Sequence, residues 1–249
     1  MKIATWNVNG IRARQAQVLE WIGREQPDVL CLQELKAARD QVPVSLTGLN
    51  GYWTYWHGER AYSGVGLLIS KAVLSSEPAF SHPEFDRETR IVSADVGGLT
   101  VASIYVPNGG KDFQAKIRFL EALAGYAASF AREGRPVVLC GDMNVAHRDI
   151  DVHPKERKED AIGQSPGERS LFEGVLANGL VDVGRALDPA NAEYFTWWAP
   201  WRGMRQRNIG WRLDYLLASE SIAHHAVSCP SFREVGTSDH APVVGTFSL

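Results

Sequence analysis

Sulfur is scarce in this 249-residue chain, which holds three cysteines, Cys31, Cys140 and Cys229. An odd, sparse set makes no disulfide framework. Cys31 and Cys140 fall in apolar strand-like runs, where a thiol behaves as a small hydrophobe. Long hydrophobic runs are also missing, so no segment has the apolar length to span a membrane. The N-terminus, MKIATWNVNG, has neither the apolar stretch nor the small-residue cleavage site of a secretion signal. A cytoplasmic location is the expectation. Positive charge is not in excess, since Lys and Arg number 26 against 29 Asp and Glu, for a net charge of -3. Any polyanion must therefore be met by a local patch and not by bulk charge. No linker, repeat or charge block divides the chain, so one domain over residues 1–249 is expected. With 45% hydrophobic residues the chain can bury a large core.

What is present is a series of buried strands that end in polar residues. Val137–Cys140 is a short apolar run, broken by Gly141 and followed at once by Asp142 and Asn144. Lys2–Val8 ends in Asn7 and the turn-forming Asn9-Gly10. Asp28–Gln33 delivers Glu34. Tyr105 leads into Pro107-Asn108-Gly109-Gly110, and Ser238-Asp239-His240 precedes the last strand, Val243–Ser248. A β-hairpin or meander is expected over residues 51–70 and a hairpin over 90–106. Helical spacing runs from Ala13 to Glu25, from an Asp112 cap to about Glu133, and from Arg169 to Asn178. Residues 147–167 read as a long surface loop. Val181–Val183 and Trp211–Ala218 complete the strands. The pattern predicts an α/β (α+β) chain of two mixed β-sheets packed face to face, with helices on the outer faces.

The groups at the strand exits are rich in oxygen and poor in thiolate and imidazole. That composition suits magnesium, manganese or calcium better than structural zinc. Magnesium binds through few carboxylates plus substrate phosphate, so phosphoester hydrolysis with a hard cation as Lewis acid is the implied chemistry. The segment FTWWAPW sets three tryptophans beside Arg202, Arg205 and Arg207, and with Arg212 these arginines read as a basic patch.

The motifs ATWNVNGIRA, CLQELK, YSGVGLL, VPNGG, GDMNVAH, NIGWRLDYLL and SDHAPV, in that order, resemble those of the exonuclease III family of class II AP endonucleases. That family lies within the DNase I-like endonuclease/exonuclease/phosphatase superfamily. The resemblance covers essentially the whole chain and implies a four-layer sandwich. It implies one or two Mg2+ ions, replaceable by Mn2+, with Glu34 as the principal ligand and Asn7 and Asp239 nearby. Asp142 would orient and deprotonate the attacking water, and Asn144 would hold that water or the phosphate. Both also fit a second metal position. His240 would contact the scissile phosphate, oriented by Asp214. Asn108 would donate to phosphate oxygens, and Tyr105 would assist the leaving oxygen.

By the same resemblance the substrate is double-stranded DNA with abasic sites or blocked 3′ ends, cut 5′ to the lesion. Trp197, Trp211 and Leu213 would form a pocket that admits a bare deoxyribose and excludes a base. Trp201 would insert from the minor groove and Lys111 would reach from the major-groove side. Tyr62, Arg90 and Arg12 match positions near the backbone and the metal-site loops. No membrane contact is expected, and a monomer is. Within the superfamily, phosphoinositide or sphingomyelin hydrolysis is the competing enzyme class, and nucleic-acid binding without catalysis is the competing non-enzyme reading.

Overall fold

A computed structural model describes residues 1–249. In chain order the elements are β1 (Lys2–Asn7), α1 (Ile11–Glu25), β2 (Val29–Gln33), α2 (Val44–Thr47), β3 (Tyr52–Glu59) and β4 (Tyr62–Ser70). There follow β5 (Phe80–Ser81), β6 (Ile91–Val96), β7 (Leu99–Tyr105), α3 (Phe113–Glu133), β8 (Val137–Asp142) and α4 (Pro166–Leu176). The chain ends with β9 (Leu180–Asp182), α5 (Val183–Leu187), β10 (Asp214–Ser219), α6 (Glu220–Ala223), β11 (Ala226–Ser228) and β12 (Val243–Phe247).

The strands form two six-stranded sheets, ordered β11-β12-β1-β2-β4-β3 and β5-β6-β7-β8-β10-β9. Each has one parallel pair at its centre, β1/β2 and β7/β8. A parallel pair needs a crossover, and α1 and α3 supply it. The two sheets share one core: Ile3, Cys31 and Leu67 from the first meet Val101, Cys140 and Leu216 from the second. Cys31 and Cys140 touch across it as buried free thiols, Sγ to Sγ 3.7 Å. On the outer faces α1 packs Val18, Trp21 and Ile22 on the first sheet, and α3 and α4 cover the second. The four layers are those expected, and strands covered on both faces explain the unbroken apolar runs of β2 and β8. No helix is long and apolar enough to cross a membrane.

Several boundaries differ from the sequence reading. Helix α4 starts at Pro166, not Arg169, because Ser165 and Glu168 form a capping box with proline in the first turn. Strand β10 starts at Asp214, since Trp211 is held instead in isolated bridges to Trp197 and Val152. The buried stripe of α3 runs through Lys116, Phe119, Leu120 and Leu123, while Phe113, counted on the apolar face from its spacing, is 37% exposed.

The arginine patch is dismantled by folding. Arg212 is buried, its guanidinium pairing with Asp151 at 2.8 Å and Asp182 at 2.6 Å. Arg205 donates to the backbone carbonyls of Arg233, Val235 and Ser238 and lies over the Trp198 ring. These are structural cations, and only Arg202 and Arg207 of the four stay exposed.

Asp151 also accepts from Arg185 at 2.5 Å. Burial alone would raise its carboxyl, but Arg212 and Arg185 outweigh that and hold it at about 2, below the ordinary 3.8. A depressed carboxylate stabilises the fold fully above pH ~4 and loses that contribution as pH falls through about 2. Asp151→Asn takes from buried Arg185 its carboxylate partner and from Arg212 one of two, Asp182 remaining, and a loss of ~3 kcal/mol in urea unfolding is the expected result. The variant's deficit shrinks as wild type is taken to pH 2.

Candidate active site

Strand register assembles the centre. Tyr105 at the end of β7 lies beside Asp142 at the end of β8, and Asp142 lies opposite Asp214 at the start of β10. Gly141 makes this approach possible: a Cβ there would sit 1.8 Å from the Ile104 carbonyl oxygen. From the other sheet β1 ends in Asn7, and the residue after β2 is Glu34. Glu34, Asn9 and Asn144 all have left-handed backbone, at φ 56°, 44° and 50°. For a glutamate that conformation costs ~1 kcal/mol or more, and such strain concentrates where a side chain must be aimed.

The exits converge on a cavity of about 410 Å³ lined by Glu34, Tyr105, Asn108, Asp142, Asn144, Asp239 and His240 on one side. Trp197, Trp211, Leu213, Ile162 and Gly163 form the other side. Trp197 and Trp211 meet edge to face, centroids 5.5 Å apart. A larger hollow of about 910 Å³ lies behind Trp198, but it holds none of the convergent acid–base groups.

His240 Nδ1 lies 2.9 Å from Asp214 Oδ2, and that same oxygen accepts from Thr196 Oγ1 at 2.6 Å. Thr196 Oγ1 in turn accepts from the backbone N–H of Leu213 and Asp214. The imidazole is thereby fixed, with Nε2 3.8 Å from Asp142 Oδ2. Asp142 accepts from Asn7 Nδ2 at 2.9 Å, from the Asn144 backbone N–H at 2.9 Å and from Asn144 Nδ2 at 3.2 Å. Burial lifts the Asp142 carboxyl to about 7, Asp214 adds to the rise, and His240 opposes it. Burial works against charge on His240, yet Asp214 and Asp142 prevail and raise it to about 10. Burial, with Glu34 and Asp142, also holds the Tyr105 phenol well above its usual range, so it keeps its proton.

In metal-free protein the His240 ring is therefore expected to stay protonated past pH 9 in an NMR titration. A raised histidine stabilises the fold fully below pH ~6.5 and loses that contribution as pH rises toward about 10. Asp214→Asn should return His240 to neutral-range titration.

Asp142, Asp214 and His240 bring ligand-type atoms within 4.8 Å of one another. Because Nδ1 is engaged with Asp214, this trio reads as an acid–base row. The oxygens around Glu34 fit a hard cation better. Lys36 Nζ already rests on Glu34 Oε1 at 3.0 Å and Asn9 Oδ1 at 2.6 Å, a cation drawn to that oxygen set. Asp239 completes it, accepting from Asn9 Nδ2 at 2.7 Å and from Trp197 Nε1 at 3.0 Å. These contacts keep its carboxyl below the usual range: burial raises it, and His240, Asn9 and Trp197 more than compensate.

Other anticipated residues stand apart from the cavity. Asn7 is buried beneath it, and its carboxamide serves Asp142 and the Asn9 backbone. Arg90 is buried over the Tyr105 ring and donates to the Tyr62 hydroxyl at 2.8 Å. Lys111 lies over the far side of that column, 5.9 Å from the Tyr62 centroid. Trp201, 60% exposed, and Arg12, exposed in the first turn of α1, face solvent. Sequence reasoning missed Lys36, Thr196, Lys116 and Glu168. The one available signal was Lys116, a charge on the apolar stripe of α3.

The sequence model described as the Endonuclease/Exonuclease/phosphatase family matches residues 4–240. A Bacillus subtilis exodeoxyribonuclease is 34% identical over 98% of this chain and 98% of its own. The zebrafish (Danio rerio) DNA repair nuclease APEX1 is 35% identical over 98% of this chain and 81% of its own. The solved structure of an AP endonuclease from Archaeoglobus fulgidus superposes with a TM-score of 0.90 at 32% identity, covering 100% of both chains.

Proposed function

The chain belongs to the endonuclease/exonuclease/phosphatase family, and from that membership we propose a nuclease that cuts the phosphodiester 5′ to abasic sites in duplex DNA with the aid of magnesium. It is an enzyme of the DNA-repair nuclease type, akin to AP endonucleases and exodeoxyribonucleases. The observation that carries the finer reading is the acid–base row Asp142–His240–Asp214 opening into the same cavity as Glu34.

In-line hydrolysis needs an aligned water, a base and positive charge on the non-bridging oxygens. Asp142, poised near neutrality, takes the proton from the water at Oδ2 and is held in place by Asn7 and Asn144. Asn108 presents an amide N–H to the phosphate, while Asn144, its own amide N–H groups taken by Asp142 and Val106, holds the base that meets the water. His240, kept cationic by Asp214, faces the phosphate through Nε2. Tyr105, kept neutral, donates its hydroxyl toward the leaving 3′ oxygen. Glu34, with Asn9 and Asp239 at hand, would hold one Mg2+, or Mn2+ in its place, and that ion would polarise a phosphate oxygen. A second ion at Asp142 and Asn144 is the alternative arrangement.

Trp197, Trp211, Leu213 and Ile162 give a narrow apolar receptacle suited to an unstacked sugar without its base. Lys111 and Trp201 stand outside it as groups for the flanking duplex. A phosphoinositide reading is disfavoured, because no lysine or arginine lines the cavity and several phosphates would need several cations. Trimming of blocked 3′ ends by the same row is a second reading, favoured by the exodeoxyribonuclease relative. We take the chain to act as a monomer in the cytoplasm.

Duplexes carrying an abasic site, a 3′-phosphate or an intact end, incubated with and without magnesium, test this function. The abasic strand should be incised 5′ to the lesion, leaving a 3′ hydroxyl, and soluble inositol phosphates should stay intact. The opposite pattern would discard it.

A further inference from the structure

Beneath the cavity lies a buried ion pair for which the reaction has no direct use. Lys116, in the first turns of α3, and Glu168, at the start of α4, are both 0% exposed and meet at 2.5 Å. A lysine ammonium has three N–H donors, and all are spent here. Besides Glu168, Nζ donates to the Asn144 carbonyl at 2.6 Å and to the Asn108 carbonyl at 3.3 Å. Glu168 turns to the third loop, accepting from Gly163 N–H through both oxygens at 2.8 and 2.9 Å, and from Ser165 Oγ at 2.6 Å. Gly163 closes the ring, its carbonyl accepting from Ala146 N–H at 2.7 Å.

Stability does not require such a pair, since well-packed neutral groups commonly replace buried charges at no loss. What neutral groups cannot do is draw three loops to one point. One loop carries Asn108, one carries Asn144 in its strained left-handed conformation, and one forms the Ile162–Gly163 wall of the cavity. That wall has no slack: a Cβ on Gly163 would come within 3.1 Å of the Asn144 carbonyl and 3.2 Å of the Trp211 ring.

We propose that Lys116 and Glu168 are positioning residues that lock Asn108, the Asn144 that holds Asp142, and the sugar-pocket wall into one preset arrangement. This rests on the reading of Asn108 as a phosphate ligand and of Asp142, held by Asn144, as the base. Rotating the Asn144 carbonyl off Lys116 would turn its side chain away from Asp142 and Val106, which it now bonds at 3.2 and 2.9 Å.

The test is a cycle of Lys116→Met, Glu168→Gln and the double variant, read by thermal unfolding and by steady-state cleavage of an abasic duplex. Each single variant leaves one buried charge unpaired and should unfold earlier. The double variant has no stranded charge and should regain part of the wild-type midpoint, the Asn144 carbonyl still lacking its Lys116 donor. Its kcat should nonetheless stay ~100-fold low, with KM within about threefold, as expected for misplacement near 1 Å. Recovery of kcat together with stability would reduce the pair to a structural role and overturn the proposal. Should the double variant not fold, Glu168→Asp keeps both charges but withdraws the carboxylate by one methylene, and an unchanged kcat there overturns it equally. Wild type failing to cut abasic DNA would instead strike the functional reading itself.

Discussion

Asp142→Asn yields a protein that binds abasic duplex DNA about as tightly as wild type and cuts it ~10³–10⁴-fold more slowly. The geometry explains why so small a change has so large an effect. Asp142 is almost fully buried, and its two oxygens are held by Asn7 and Asn144. An amide in its place cannot accept the proton of the water. It also sets an N–H against either the Asn7 or the Asn144 donor, so a modest loss of stability should accompany the loss of rate. In the proposed arrangement DNA would meet the cavity mouth and its flanks, not this carboxylate, so binding should persist. Filter-binding and single-turnover cleavage separate the two effects. If the variant regains its rate at high magnesium, Asp142 is a metal ligand first, and the two-ion arrangement becomes the better account.

Glu34→Gln should act on the opposite parameter. Its carboxylate is the one anionic group that Lys36 seeks out at the cavity edge, and its backbone is held in a left-handed conformation to put it there. Removing the charge while keeping the shape should raise the magnesium concentration for half-maximal rate by ~10–100-fold or more. Saturating magnesium should recover much of the rate, because Asp142, His240 and Asp214 remain in place. Lys36 keeps Asn9 as a partner, so little stability is at stake. A magnesium titration of the cleavage rate decides it. An unchanged half-saturation point would remove Glu34 from the metal site.

The strand-exit residues of the candidate site were legible because they are written in a simple grammar. An apolar strand buried on both faces has a polar residue only where it leaves the sheet, so Asp142, Glu34, Tyr105 and Asn7 mark the strand exits in the sequence itself. Their partners were harder to see. Nothing local to Arg212 says that it turns inward to Asp151 and Asp182, some thirty to sixty residues away. A run of arginines therefore read as surface when half of it is core. Asn7, expected near the metal, has its amide donating to Asp142 and its oxygen accepting from the Asn9 N–H, contacts that strand spacing does not reveal. Lys116 left a trace, a lysine on the buried stripe of α3, whereas Glu168 lies ahead of the Arg169 start that helical spacing gave. Glu168 is the third helical residue of the capping box whose N-cap is Ser165. That it also anchors Lys116 depends on the packing of α3 on α4, which periodicity does not reveal.

The most direct measurement follows a duplex with one abasic site, end-labelled on the lesion strand, in magnesium and then in excess chelator. The account predicts one product, cut immediately 5′ to the abasic sugar with a 3′ hydroxyl, and none once the metal is removed. Cutting at the 3′ side of the lesion, or cutting that persists in chelator, would contradict it.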